Sequence, residues 1–249
     1  MQTRRERVRQ AAIDEIKSIA WDIATAQGIE DVTVNGIARQ MGMTPPAFYS
    51  YFKNRDELIK SLVIDAYRSF RQALAEARDS VPAADSARRL YDVLIAYRHW
   101  AIANPALFGL FAGRRVHGFD TREPEIIEAA ENVYSIFSGL YNDAWQRGIL
   151  KPPKTSLDIP PAYAVQIREI ARKRYLEASI ETINLILHGG SLIHGMISME
   201  LSGRLSDLVG DPFLFYQFQV LDLLKKFGID YHPDSKPKPQ PQRREDDLA

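Results

Sequence analysis

The chain has no cysteine in its 249 residues. That absence excludes disulfide staples, thiolate metal sites and a cysteine nucleophile. Nowhere do about 18 apolar residues follow one another without a charge, so no membrane span is expected. The first twenty or so residues carry charges where a secretory leader needs an apolar segment. Strand-like alternation and internal repeats are missing. So is net charge, because 32 Lys+Arg balance 32 Asp+Glu; this argues against a nucleic-acid binder, which usually carries a basic excess. The expectation is a soluble, cytosolic protein.

Catalytic and cofactor signatures are equally scarce. There is no phosphate-cradling P-loop and no dinucleotide-binding glycine fingerprint. Gly189-Gly190-Ser191-Leu192-Ile193 fails as a nucleophile elbow, because its fifth position is not glycine and its setting is mid-helix. His188 and His194 are six apart, roughly 240° round a helix, and cannot clamp one metal from that helix. His99 and His117 fall in separate segments. The sequence therefore points to no enzyme, no metal and no cofactor.

What is present is helix. Hydrophobic residues make up 45% and charged residues 26%, enough for a core without staples. From Val8 to Ala26 apolar positions recur every three or four residues, and Gly28 closes the run. Thr33 caps a short helix to about residue 41; Gly42 turns the chain; Thr44 caps a third helix that begins Pro45-Pro46, where missing N–H groups cost nothing. Asn54-x-x-Glu57 resembles a capping box and opens a fourth helix to about residue 77. Further helices are expected over residues 85–103, from Asn104-Pro105 to about 113, over 125–146 and 162–201, and from Asp211-Pro212 to about 227. Prolines 152, 153, 160 and 161 mark a loop, and the proline-rich, charged tail after Gly228 is expected to be disordered. The fold class is all-α.

Residues 33–52 carry the functional signal. Two short helices flank the Gly42 turn, with small Ala38 where the helices cross closely, as a helix-turn-helix requires. Arg4, Arg5, Arg7 and Arg9 crowd the N-terminus beside it, alone a weak sign of DNA binding. Phe48 and Phe52 read as core of this head.

TPPAFYSYF over 44–52, followed by KNRDELI, resembles the signature of the TetR/AcrR family of transcriptional repressors, and TVNGIARQMGM over 33–43 resembles its supporting helix and turn. The likeness spans about residues 7 to 62. It implies a three-helix head over 1–55 that binds operator DNA, a helical ligand-binding and dimerisation domain over 56–228, and a tail over 229–249. By that resemblance Thr33 and Thr44 lie near the DNA backbone as helix caps, Tyr49 and Tyr51 meet the backbone, and Arg55 stands where a lysine reaches a phosphate. Pro45 and Pro46 replace the usual Lys, Arg or Gly, so base reading falls to Thr44, Ala47, Ser50 or apolar packing around Pro45.

The body shows aromatic density at Tyr97, Trp100, Phe108, Phe111, Tyr134, Phe137, Tyr141 and Trp145. Most such rings fill a core, yet helical domains also enclose apolar cavities with a few polar groups. Trp100, Phe108, Phe111, Phe137, Tyr141 and His194 are the expected lining of a site for a small, largely apolar effector. His194-Gly195 is similar to a Trp–His-Gly signature of one TetR subgroup, although the tryptophan is absent. Glycines within the 180–201 region carry a helix-propensity penalty of about 1 kcal/mol each, which close packing or room for a ligand would explain. The family resemblance implies a homodimer through the last two helices. A helical interaction module without DNA affinity is the alternative from another class; a helical enzyme comes third.

Overall fold

The computed structural model describes residues 3–111, 123–151 and 158–233. The first helix, α1 (Arg4–Gln27), starts earlier than apolar periodicity indicates, because Thr3 and Glu6 form a reciprocal capping box: Glu6 N–H donates to Thr3 Oγ1 at 3.2 Å and Thr3 N–H to Glu6 Oε2 at 2.7 Å. It ends at Gly28, whose φ of 104° suits only glycine. One short turn, Ile29–Asp31, leads to α2 (Val34–Gln40), where Thr33 Oγ1 accepts the Gly36 N–H at 3.1 Å. The chain reverses at Gly42, and α3 (Pro45–Phe48) is a single turn of helix.

Helix α4 (Arg55–Asp79) follows, with Asn54 Oδ1 accepting the Glu57 N–H at 2.8 Å. The reciprocal half of the box is displaced by one residue: the Glu57 carboxylate takes the Lys53 N–H. Two apolar cores form along this helix. Leu58, Ile59, Leu62 and Val63 join Ile16, Ala20, Val32, Ile37, Phe48 and Phe52 in the core of the head. Further along, Phe70 and Leu74 belong to the core of the body.

The body continues with α5 (Ser86–Ala103), α6 (Pro105–Phe111), α7 (Pro124–Gln146), α8 (Pro161–Arg174), α9 (Ile180–Leu201) and α10 (Pro212–Lys226). Among the described residues every regular element is helical, as expected for an all-α chain. The sequence merges α8 and α9 into one stretch, but the structure breaks it at Tyr175, a non-glycine in the left-handed region (φ 53°). The break is fixed from outside the segment. Asn142 of α7 donates to the Tyr175 carbonyl at 2.6 Å and accepts the Glu177 N–H at 2.9 Å, after which Ser179 caps α9.

Close packing explains one α9 glycine. A Cβ on Gly189 would stand 2.9 Å from Leu223 Cδ2 of α10, whereas Gly190 and Gly195 face open space. The tail also starts later than expected, because Ile229 is buried in the body core and the Tyr231 ring lies 5.0 Å from that of Tyr91. The expected disordered tail beyond residue 233, and the expected end of α6 near residue 113, lie outside the described residues.

Helices α5, α9 and α10 are joined by a nearly buried ion pair. Arg98 Nε donates to Glu200 Oε2 at 2.8 Å, its other arm bonds Glu200 Oε1, and the guanidinium carbon lies 4.7 Å from the Phe213 ring centroid. Removing one partner leaves the other charge uncompensated in an apolar setting. Glu200→Ala is therefore expected to lower stability by about 3 kcal/mol in urea unfolding, and Arg98→Met/Glu200→Met by clearly less. Equal losses would mean that packing, not charge pairing, dominates there.

Candidate nucleic-acid interface and effector cavity

The helix-turn-helix geometry is built by local bonds. The Met43 N–H reaches back to the Ala38 carbonyl at 2.9 Å, closing the turn over Gly42 (φ 63°), and Ala38 is buried where α2 and α3 cross. Phe48 and Phe52 are core, as their spacing suggests. This leaves Thr33, Thr44, Pro45, Tyr49 and Ser50 exposed, with Ala47, Tyr51 and Arg55 half-buried. Tyr49 is 55% exposed and rests edge-on against Phe48, so its hydroxyl end is free to meet another surface.

Thr44 occupies the cap position of α3 but makes no capping bond. The cause is local. Pro46 has no N–H to offer, and the Ala47 N–H goes to the Thr44 carbonyl at 2.9 Å. Its hydroxyl is left at the surface. Ser50 Oγ is turned inward to the Ala47 carbonyl at 2.7 Å. Arg9 is a residue the sequence only hinted at: its Nη2 donates to the Ser50 carbonyl at 3.1 Å, and its guanidinium carbon lies 5.9 Å from the Tyr51 ring centroid. The basic start of α1 is thereby held beside α3.

Arg55, expected near a phosphate, bonds within the head. Its Nε donates to the Val32 carbonyl at 2.6 Å, and its Nη2 to the carbonyls of Ile29 at 2.9 Å and Glu30 at 3.3 Å. The guanidinium gathers three carbonyls where the short turn meets α2, the Ile29 one already accepting the Val32 N–H at 3.3 Å, so it braces the head from within. Arg55→Ala is expected to lower stability by about 2 kcal/mol, the scale of lost charge-assisted bonds, read from the urea midpoint. A change within about 0.5 kcal/mol would return Arg55 to a surface role.

In the body, a cavity of about 660 Å³ lies between α4, α5, α7, α8 and α9. Of the expected lining, Phe137, Tyr141 and His194 are there. Trp100 and Phe108 are not: both are buried in solid core, Trp100 with its Nε1 on Ser69 Oγ at 3.0 Å and Phe108 with its ring 4.9 Å from that of His194. The side chain of Phe111 and the whole of His117 lie outside the described residues. The glycines Gly189 and Gly190, read as giving close packing or room for a ligand, are in the lining; the sequence reading missed Tyr67 and Phe70 of α4, Ser138, and all of α8, which contributes Ile170, Lys173 and Arg174.

The cavity wall is rich in aromatic rings. Burial pushes the Tyr67 hydroxyl up to about 12 and raises Tyr97 further. Burial also holds His194 below its ordinary range, so its ring is neutral at pH 7. His194 Nδ1 and Tyr97 Oη share a hydrogen bond of 2.8 Å, which leaves Nε2 for another partner. At the rim, Arg174 pairs with Glu131 at 2.6 Å and stacks 3.6 Å from the Tyr134 centroid. Among the described residues no group of three or more His, Asp or Glu is placed to hold a metal ion. No helix among them is long and apolar enough to cross a membrane.

Comparison with known proteins agrees with this geometry. Residues 18–62 match the family model described as bacterial regulatory proteins, tetR family, and residues 90–223 match one described as tetracyclin repressor-like, C-terminal domain. An HTH-type transcriptional regulator of Mycobacterium tuberculosis (strain ATCC 25618 / H37Rv) is 27% identical over 228 residues, covering 88% of this chain and 95% of that protein. The crystal structure of SCO4313, assigned a regulatory role, shares 30% identity at a TM-score of 0.70 over 90% of this chain and 100% of the other. FadR from Bacillus subtilis in complex with stearoyl-CoA shares the fold at 18% identity and a TM-score of 0.57, over 86% of this chain and 98% of that one. These matches carry the family, not the Trp–His-Gly subgroup suggested by His194-Gly195. A helix-turn-helix head on a helical body, matched along both parts, makes this chain a DNA-binding transcriptional regulator of the tetR family.

Proposed function

We propose that this regulator binds a near-palindromic operator as a symmetric homodimer, represses from it, and is released by a small, largely apolar molecule held in the body. The observation that carries this is a single helix shared by two sites. Tyr67 and Phe70 of α4 line the cavity, while Leu58 and Leu62 of the same helix are buried in the head. A ligand that prefers one tilt of α4 therefore has differential affinity for two head arrangements, which is what a population shift requires. The mycobacterial relative's designation as a transcriptional regulator and the stearoyl-CoA held by FadR both support this reading.

On the DNA side, Thr33, Thr44, Pro45, Ala47, Tyr49, Ser50 and Tyr51 are the proposed contact set, and Arg9 joins them. Arg55 acts through the head's rigidity. In the body, α10 leaves Leu214 (62%) and Phe218 (65%) exposed one turn apart, and α9 leaves Met199 exposed at 37%. Apolar surface of this kind on the last two helices suits a two-fold four-helix interface.

Tyr49→Ala is expected to leave the urea midpoint unchanged and weaken binding to all duplexes alike, with the salt dependence kept because a neutral hydroxyl displaces no counter-ion. Unaltered affinity would move the DNA surface elsewhere, and binding to no duplex at low salt would favour an interaction module instead. Phe218→Arg is expected to give monomers or aggregates in sedimentation; an intact dimer would relocate the interface. An apolar effector is expected to weaken operator affinity by about 5- to 150-fold, with the operator weakening the effector by the same factor.

A further inference from the structure

Two hydroxyls facing the cavity have no use in holding the fold. Ser138 and Tyr141 lie three residues apart on α7, so they share one face of that helix. Both line the cavity, and only 8% and 6% of their surfaces are exposed. Among the described residues neither hydroxyl has a hydrogen-bond partner. Other helical serines behave differently: Ser135, Ser191 and Ser198 each donate to a carbonyl of the preceding turn, at 2.8, 2.9 and 2.8 Å. Neither oxygen is among the fully buried unpartnered polar atoms, so both are open to the cavity they line. For these two, the cavity is where a partner comes from.

The rest of the wall sets the partner's chemistry. Tyr67, Phe70, Tyr97, Phe137 and Ile193 supply apolar surface. The charged groups are at the rim, where Glu131 lies 2.6 Å from Arg174 and Glu169 3.2 Å from Lys173 and balance their charges, although Arg174 Nη1 is buried without a hydrogen bond. An anionic ligand group beside Ser138 and Tyr141 would be desolvated without a free counter-ion. His194, neutral at pH 7, supplies no counter-ion either. A carbonyl oxygen suits the pair, since its two lone pairs accept from two O–H donors.

Building on the effector reading above, we infer that Ser138 and Tyr141 form a carbonyl-binding subsite, which selects neutral, largely apolar ligands carrying a ketone-, ester- or amide-type oxygen. The His194–Tyr97 pair offers a second polar contact further along the wall.

Two neutral fluorescent probes test this on the full chain: prodan, a dimethylamino-naphthyl ketone, and N-phenylnaphthylamine, which has no carbonyl. Both are expected to bind the unaltered protein. Ser138→Ala/Tyr141→Phe should weaken prodan about tenfold, shift its bound emission to the blue as the carbonyl loses its donors, and leave N-phenylnaphthylamine within about twofold. If the double variant fails to fold, each single substitution should weaken prodan about threefold with the same emission shift. Equal weakening of both probes, or unchanged prodan affinity and emission, overturns the subsite. Binding of neither probe to the unaltered protein overturns the subsite and the effector reading together. Probes that bind in the expected pattern yet leave operator affinity unchanged support the subsite and remove the effector reading alone.

Discussion

Because α4 gives Leu58, Ile59, Leu62 and Val63 to one core and Phe70 and Leu74 to another, neither core closes without it. Each of these side chains contributes on the order of 1.5–3 kcal/mol when buried, so the helix is firmly gripped in both halves. Interiors are close-packed and shift between discrete arrangements rather than deforming smoothly. The two cores are joined by one continuous helix of 25 residues.

Other ties limit how α4 can move. Leu110 of α6 and Ile126 of α7 are buried in the head's core although their helices belong to the body. Lys60 of α4 pairs with Glu123 at 2.9 Å and Glu125 at 3.4 Å at the start of α7. Lys17 of α1 meets Asp65 at 2.6 Å. These pairs are partly exposed and individually weak. Together with the apolar contacts they tie the head end of α4 to α1 and to the start of α7.

The head was legible in the sequence because its determinants are local. Thr33 and Asn54 cap the helices that follow them, Gly42 takes the left-handed turn, and the Phe48–Phe52 spacing gives the core face. What escaped depended on distant partners. The break at Tyr175 is held by Asn142, some thirty residues earlier in the chain, and no glycine or proline announces it. The charge of Arg55 was visible, but not the three carbonyls that fold back onto it. In the body, aromatic periodicity identifies rings facing inward without telling core from cavity wall. Phe137 and Tyr141 face the cavity, while Trp100 and Phe108 are sealed against α4 and His194.

The two prolines at the start of α3 have a thermodynamic consequence. Pro45 and Pro46 each fix φ near −65°, already the helical value, so much of this segment's backbone freedom is absent even before the chain folds. A four-residue helix would ordinarily be marginal and would have to be ordered on docking. Here little ordering entropy remains to be lost, and the rigid edge trades amide donors for preorganisation. Any duplex this edge meets therefore encounters a preformed shape rather than a flexible loop, and recognition there relies more on fit than on backbone hydrogen bonds.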